Sequence, residues 1–162
     1  MSGNLTDQHA PDFELKGSDG KRHRLADYAG KRLILFFYPR DSTSGCTKEA
    51  TAFRDLKQEF DRAGVILLGI SRDLLAAHKK FIEDHDLNMV LLSDPDAVVM
   101  KAYGAFGEKS MYGKIVSGTI RSTVFICPDG TVKKHWTTVS KAEQHPAQVL
   151  DYILTYHCDR RD

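Results

Sequence analysis

The segment LILFFYPRDSTSGC, residues 33–46, decides the fold of this chain. Its first part, Leu33–Tyr38, is an unbroken apolar run, which is typical of a strand buried on both faces of a parallel sheet. The loop Pro39–Gly45 consists of turn and capping residues, and apolar residues then recur at three-to-four spacing as far as Gly64. This order predicts a buried strand, a loop and a long helix, with Cys46 in the first turn of that helix.

The rest of the chain alternates between strand and helix patterns. Further apolar runs predict buried strands at Val65–Ser71 and Val90–Ser93, and residues 74–85 between them carry a helical stripe. Turn residues between short strand patterns predict hairpins near both ends of the chain, over residues 13–25 and 123–136. The stretch Gly104–Gly118 has no clear period and is predicted to be a loop.

Two further helix starts are indicated by capping residues. Asp94 followed by Pro95 predicts a short helix, and a capping box from Ser140 to Glu143 predicts the start of the last one. Strands that alternate with helices favour the α/β class, with a central mixed β-sheet flanked by helices. The order resembles the thioredoxin-like fold with an N-terminal β-hairpin extension, and we expect a single domain over residues 1–162.

Composition and charge exclude several classes of protein. The chain has 162 residues, 41% of them hydrophobic, which suffices for a core without disulfides or a structural metal. Its net charge of +1 argues against binding to nucleic acid or to a membrane surface. No signal segment or membrane-length apolar run is visible, and three scattered cysteines are too few for a disulfide framework. We therefore expect a soluble protein of a reducing compartment, the cytoplasm.

Cys46 is the candidate for chemistry on position alone. The start of a helix offers free backbone N–H groups and about half a positive charge. Both stabilise a thiolate, which is the reactive form of cysteine. The alternative is a buried, inert cysteine, because free cysteine is among the most buried residue types.

The residues around Cys46 decide between these alternatives. The pattern Pro39-x-x-x-Thr43-x-x-Cys46 resembles the peroxidatic-cysteine signature of the peroxiredoxins. The longer string FFYPRDSTSGCTKEATAFRD is similar to the bacterioferritin-comigratory-protein (PrxQ) branch of that family. The resemblance continues in order through nearly the whole chain, in the strings APDFEL, SRD, LLSDPD, YG and RSTVFICPDG.

This resemblance implies a role for each residue of the site. Cys46 matches the residue that attacks the peroxide, and Thr43 matches a hydroxyl that hydrogen-bonds the thiolate and the peroxide oxygens. Pro39 matches the residue that shields the sulfenic acid, Arg121 the cation beside the thiolate, and Glu49 the carboxylate that orients this arginine. Taken singly, each residue has an ordinary structural explanation, so the expectation depends on their joint occurrence.

The two locations at which the family carries a second cysteine hold none in this sequence. A second cysteine five residues after the first would resolve the sulfenic acid as a disulfide, but that position is Thr51 here. The other family location, in the helix at residues 74–85, also contains no cysteine. Cys127 is expected to be a structural strand residue, and Cys158 is a candidate to reach Cys46 from the C-terminus. The resolving residue is therefore unknown, and a one-cysteine cycle is the simplest expectation.

The sequence thus predicts a thiol-dependent peroxidase that reduces hydrogen peroxide and alkyl hydroperoxides through a sulfenic acid on Cys46. Thioredoxin, glutaredoxin or a small thiol is the expected reductant of a monomer that uses no metal or other cofactor. The alternative is a redox-sensing or holdase-type binding protein in which Cys46 is a switch. A disulfide oxidoreductase is disfavoured, because no CxxC is present. The histidines show no metal spacing, and His78 and His85 are interpreted as one edge of an amphipathic helix.

Overall fold

A mixed sheet with helices on both faces forms the body of the computed structural model, which describes residues 4–158. Its strands are β1 (Glu14–Gly17), β2 (Arg22–Arg24), β3 (Arg32–Phe37), β4 (Val65–Ser71), β5 (Val90–Ser93), β6 (Phe106–Met111), β7 (Lys114–Thr119), β8 (Ser122–Ile126) and β9 (Val132–Trp136). Its α-helices are α1 (Ser44–Arg62), α2 (Leu75–His85), α3 (Val98–Ala102) and α4 (His145–Thr155), and a short 3-10 helix covers Leu25–Tyr28. No helix within these described residues is long and apolar enough to cross a membrane.

The strand order of the main sheet is β2-β1-β5-β4-β3-β8-β9. Strands β3, β4 and β5 run parallel, whereas β8 lies antiparallel to β3 and the hairpin β1–β2 joins the edge of β5 in antiparallel fashion. The predicted mixed α/β sheet with an N-terminal hairpin is therefore confirmed.

The central strand β3 explains why the deciding segment is apolar throughout. Leu33, Leu35 and Phe37 enter the core on one face of the sheet, together with residues of α3 and the N-terminal segment. Ile34 and Phe36 enter the core on the other face, where α1, α2 and α4 supply Phe53, Phe81 and Val149 among others. Since side chains alternate between faces along a strand, a strand that is covered on both sides needs apolar residues at every position.

The predicted loop at residues 104–118 is wrong, because β6 and β7 form a separate antiparallel hairpin there. Its turn, Tyr112-Gly113, has positive φ at both residues, 53° and 78°. Two-residue hairpin turns favour this backbone geometry. Most of β7 is exposed, so its strands are held by pairing with each other and carry no alternation of apolar and polar residues.

Both predicted helix starts lie too early in the chain. Helix α4 begins at His145, and residues 141–144 form a turn in which the carbonyl of Lys141 accepts from the N–H groups of Gln144 and His145. Helix α3 begins at Val98, not at Asp94. The carboxylate of Asp94 still caps this helix across the intervening turn, because it accepts from the N–H groups of Val98 and Met100 at 3.1 and 2.8 Å.

The sequence predicts no disulfide framework, but the structure contains a disulfide. Cys127, directly after β8, is bonded to Cys158, three residues after the end of α4, and their Cα atoms are 5.8 Å apart. Helix α4 packs back across the sheet and brings together two residues that are 31 positions apart in sequence. The inference of a reducing compartment from unpaired cysteines therefore loses its basis.

Candidate active site

Cys46 occupies the third position of α1, at the carboxyl end of β3. Its side chain is 2% exposed, and it is the free cysteine of the described residues. The first N–H group with an intrahelical partner is that of Thr47, which donates to the carbonyl of Thr43 at 2.8 Å. The preceding N–H groups of the helix therefore have no intrahelical acceptor. This is the setting in which a thiolate is stabilised.

Arg121 lies against Cys46 although the two residues are 75 positions apart. Its Nη2 donates to Cys46 Sγ at 3.4 Å, and its Nη1 donates to Oε1 of Glu49 at 2.6 Å. Strand β8 brings Arg121 there, because its first residue, Ser122, pairs with Phe37 at the end of β3. The structure thus brings together three of the residues that the sequence singled out.

Gly45 gives the guanidinium room to approach. A Cβ atom at this position would lie 3.1 Å from Nη2 of Arg121, which is tighter than an ordinary van der Waals contact. The absence of a side chain beside the cysteine therefore contributes to the Arg121–Cys46 contact.

The electrostatics of the pair depend on the burial of Glu49. This side chain is 0% exposed, and its Oε2 has no hydrogen-bond partner among the described residues. Burial raises the pKa of Glu49 to about 7, although the charge and hydrogen bond of Arg121 act in the opposite direction. Partial burial lowers the pKa of Arg121, but Glu49 and Cys46 raise it by more, so the guanidinium stays cationic.

Thr43 and Pro39 lie on the rim of the site. Thr43 is the N-cap residue of α1 and is exposed. Its hydroxyl donates to the carbonyl of Arg40 at 2.8 Å and does not cap the helix. A hydroxyl has one proton, so in this state Thr43 does not also donate to the sulfur. Pro39 is half-buried at the end of β3, next to the loop that carries Thr43.

The candidate resolving residue lies far from Cys46. Cys158 is bonded to Cys127, which follows the last residue of β8. The site lies at the opposite end of β8, beside Ser122, and five residues of strand span about 16 Å. The hydroxyl of Thr51, at the family's resolving position, is bonded to the carbonyl of Thr47 at 2.8 Å on its own helix.

Sequence analysis missed two residues beneath the site, Asp41 and His78. His78 is fully buried, so its interpretation as one edge of an amphipathic helix is wrong. Its Nδ1 lies 2.6 Å from Oδ2 of Asp41, in the loop between Pro39 and Thr43. No spacing signal could have found this pair, because 37 residues separate its members and the contact exists only when α2 has packed against the sheet at β5.

Within residues 4–158, the group of three side chains that could bind a metal ion also lies in this region. Ligand atoms of Asp41, Asp73 and His78 lie within 4.8 Å of one another. These atoms already hydrogen-bond Tyr38, Ser71 and the backbone, so a hydrogen-bond network accounts for the group without an ion.

Comparisons with known proteins agree on one family. A model of the AhpC/TSA family matches residues 6–135. The peroxiredoxin Bcp of Bacillus subtilis is 41% identical over 146 residues, which cover 90% of this chain and 92% of that protein.

Solved structures give the same result. The structure of Xanthomonas campestris peroxiredoxin Q has a TM-score of 0.83 and 39% identity, and the match covers 89% of this chain and 90% of that one. The bacterioferritin comigratory protein of the same organism, described for its alkyl peroxide reduction activity, has a TM-score of 0.83 and 38% identity over 88% of this chain and 90% of that one.

Proposed function

The chain belongs to the AhpC/TSA family and is a Bcp-type peroxiredoxin, a thiol peroxidase, and we propose that Cys46 is its peroxide-reducing residue. The observation that carries this assignment is the contact of 3.4 Å between Cys46 Sγ and Nη2 of Arg121 at the start of α1. A fixed cation and free helix N–H groups both favour the thiolate, and the thiolate is the nucleophile. Glu49 holds the other guanidinium nitrogen in place.

The proposed reaction begins with attack of the Cys46 thiolate on one oxygen of a hydroperoxide. An S–O bond forms, the O–O bond breaks, and the leaving oxygen takes a proton to become water or an alcohol. The sulfur is oxidised to a sulfenic acid and the peroxide is reduced. Arg121 offers N–H donors to the negative charge as it moves from sulfur to oxygen. Hydrogen peroxide and alkyl hydroperoxides are the proposed substrates.

Thr43 and Pro39 are proposed to complete the site from its rim. The hydroxyl of Thr43 donates to Arg40, so its oxygen lone pairs are left to accept the O–H of a hydroperoxide. Pro39 is half-buried at the start of this loop and has no N–H donor, which is consistent with shielding of the sulfenic acid.

The positions of the other two cysteines support a one-cysteine cycle. The Cys127–Cys158 pair lies at the far end of β8, so an external thiol is proposed to attack the sulfenic acid. This step releases water and forms a mixed disulfide, which a second thiol reduces to restore Cys46. Thioredoxin, glutaredoxin or a small thiol can supply both. We propose the cytoplasm as location because these thiol reductants act there, and not because of the cysteine count. We also propose a monomeric, single-domain enzyme that uses no metal or other cofactor.

The test is peptide-mapped mass spectrometry of reduced protein after about one equivalent of hydrogen peroxide, with a sulfenic-acid trap present. The trap is expected on Cys46, and Cys46→Ser is expected to abolish peroxide consumption. The matched control is the double variant Cys127→Ser/Cys158→Ser, which should keep turnover with an external thiol.

Each part of the proposal has its own contrary result. Peroxide consumption by Cys46→Ser would remove this residue from the reaction. A disulfide between Cys46 and Cys158 or Cys127, with loss of turnover in the double variant, would replace the one-cysteine cycle. Consumption of a single equivalent despite excess thiol would favour a redox switch over an enzyme.

A further inference from the structure

A buried hydrogen-bond network lies beneath the loop that precedes Cys46. Asp41 Oδ1 accepts from the hydroxyl of Tyr38 at 2.6 Å, and its Oδ2 lies 2.6 Å from Nδ1 of His78. The other ring nitrogen of His78, Nε2, lies 2.9 Å from the carbonyl oxygen of Leu92 in β5. The side chains of Tyr38, Asp41 and His78 are all buried.

The hydrogen-bond partners of His78 define its proton arrangement. A carbonyl oxygen has no proton, so Nε2 must donate to Leu92. Nδ1 faces a carboxylate, and burial with the neighbouring Asp41 raises the pKa of Tyr38 well above its ordinary value, so that hydroxyl remains a donor. Every contact is satisfied when one proton lies between Nδ1 and Oδ2 of Asp41, and this shared proton links the ring to the loop. Helix α2 and strand β5 thus hold the loop through one imidazole ring.

The network fixes a loop that is otherwise strained. The backbone N–H of Asp41 donates to Oδ2 of Asp73 at 2.8 Å, so both its backbone and its side chain are held. The next residue, Ser42, has a φ of 65°, a conformation that residues other than glycine, asparagine and aspartate rarely adopt. Thr43 follows immediately. A loop with this geometry persists only where its surroundings determine it.

We propose that His78 and Asp41 form a positioning pair that holds the Pro39–Thr43 loop in the shape that binds the peroxide over Cys46. His78 does not touch the reacting atoms and acts through Asp41 and the loop. The pair therefore affects the reaction with peroxide, while the thiolate itself depends on Arg121 and the helix start. This inference rests on the proposed role of Cys46.

Two substitutions of His78 separate its two contacts. The amide nitrogen of asparagine lies as many bonds from Cβ as Nδ1, so His78→Asn keeps a donor for Asp41 and loses the contact with Leu92. The amide nitrogen of glutamine lies as many bonds from Cβ as Nε2, so His78→Gln keeps a donor for Leu92 and loses the one for Asp41. Both variants remove the buried ring, so they form a matched pair.

The experiment measures the rate constant for hydrogen peroxide with each reduced variant, together with its melting temperature. We expect His78→Gln to react at least about tenfold more slowly, because small displacements of positioning groups have large effects on rate. The rate constant of His78→Asn should lie within about threefold of the wild-type value, because this variant keeps its contact with Asp41. The pH profile of Cys46 alkylation by iodoacetamide should be the same in all three proteins.

Three results would overturn the proposal while leaving Cys46 as the peroxidatic residue. The first is equal rates in all three proteins, and the second is a loss of rate that follows melting temperature irrespective of which contact was lost. The third is a shift of the alkylation profile as large as the loss of peroxide rate, which would place the defect in thiolate formation.

A second variant covers the case in which His78→Gln does not fold. Asp41→Leu keeps the approximate shape of the side chain but removes both carboxylate oxygens, so it loses the contacts with Tyr38 and with His78, and we expect the same fall in peroxide rate. An unchanged rate in Asp41→Leu would overturn the proposal independently. Failure of Cys46→Ser to abolish the reaction would instead refute the proposed function itself.

Discussion

The burial of Glu49 makes a quantitative prediction about the pH dependence of stability. The pKa of this carboxyl is about 7 in the fold, against 4.5 for an ordinary glutamate. Between these values the folded protein holds a proton that the unfolded chain releases. The resulting stabilisation is complete below about pH 4.5 and is lost as the pH rises through about 7. Since one pKa unit corresponds to about 1.4 kcal/mol, the loss amounts to about 3 kcal/mol.

The perturbation that isolates this effect is Glu49→Gln. Glutamine has the same shape and keeps an oxygen for Nη1 of Arg121, but it has no proton to gain or lose near neutral pH. Arg121 stays cationic throughout, and His145, whose pKa burial lowers to about 4, titrates in both proteins. Their contributions largely cancel in the difference between the two proteins.

The assay is denaturant unfolding of both proteins between about pH 4 and pH 8, with the disulfide kept oxidised. The free energy of unfolding of the wild type, relative to Glu49→Gln, should fall by about 3 kcal/mol over this range. A constant difference would refute the reasoning, because Glu49 would then not change protonation on folding. A difference that rises with pH would mean that attraction to Arg121 outweighs the cost of burial.

Three further predictions concern the site and the disulfide. Gly45→Ala should lower the peroxide rate of Cys46 while leaving the fold intact, because its Cβ would lie 3.1 Å from Nη2 of Arg121; stopped-flow kinetics and a melting curve check this. Arg121→Lys should lower that rate about 10²-fold or more, because an ammonium group lacks the planar set of donors that contacts both the carboxylate and the thiolate. Wild-type kinetics in this variant would contradict a role for the planar guanidinium. Reduction of the Cys127–Cys158 bond, which closes a loop of 31 residues, should lower the free energy of unfolding by roughly 3–4 kcal/mol. Denaturant curves with and without reductant measure that loss, and coincident curves would show that the bond does not constrain the fold.

Local patterns in the sequence were sufficient for the elements around Cys46. The apolar run of β3 and the periodic residues of α1 predicted a buried strand, a loop and a helix, and the structure confirms all three. The spacing of apolar residues indicates which face of a strand or helix is buried, so these elements can be predicted from residue type and spacing alone. The resemblance to peroxiredoxins added Arg121 and Glu49, which no local pattern could connect to the cysteine.

Hairpin β6–β7 could not be predicted from the order of apolar and polar residues. Most of β7 is exposed, so backbone pairing holds the hairpin and leaves no trace in the order of apolar residues. The last helix shows the same limit, because a capping box at residues 140–143 is present in sequence while the helix starts at His145. Short capping signals are local preferences that the packing of neighbouring elements can override.

By itself, the sequence determined that a cysteine lies in the first turn of a helix that follows a buried strand. Only the tertiary structure decided what surrounds it: the antiparallel β8 that delivers Arg121, the buried His78 beneath Asp41, and the bond that removes Cys158 from the site. The physical reason is distance along the chain. Periodicity records which face of an element is buried, whereas these contacts join residues 31 to 75 positions apart and exist only once the layers have packed.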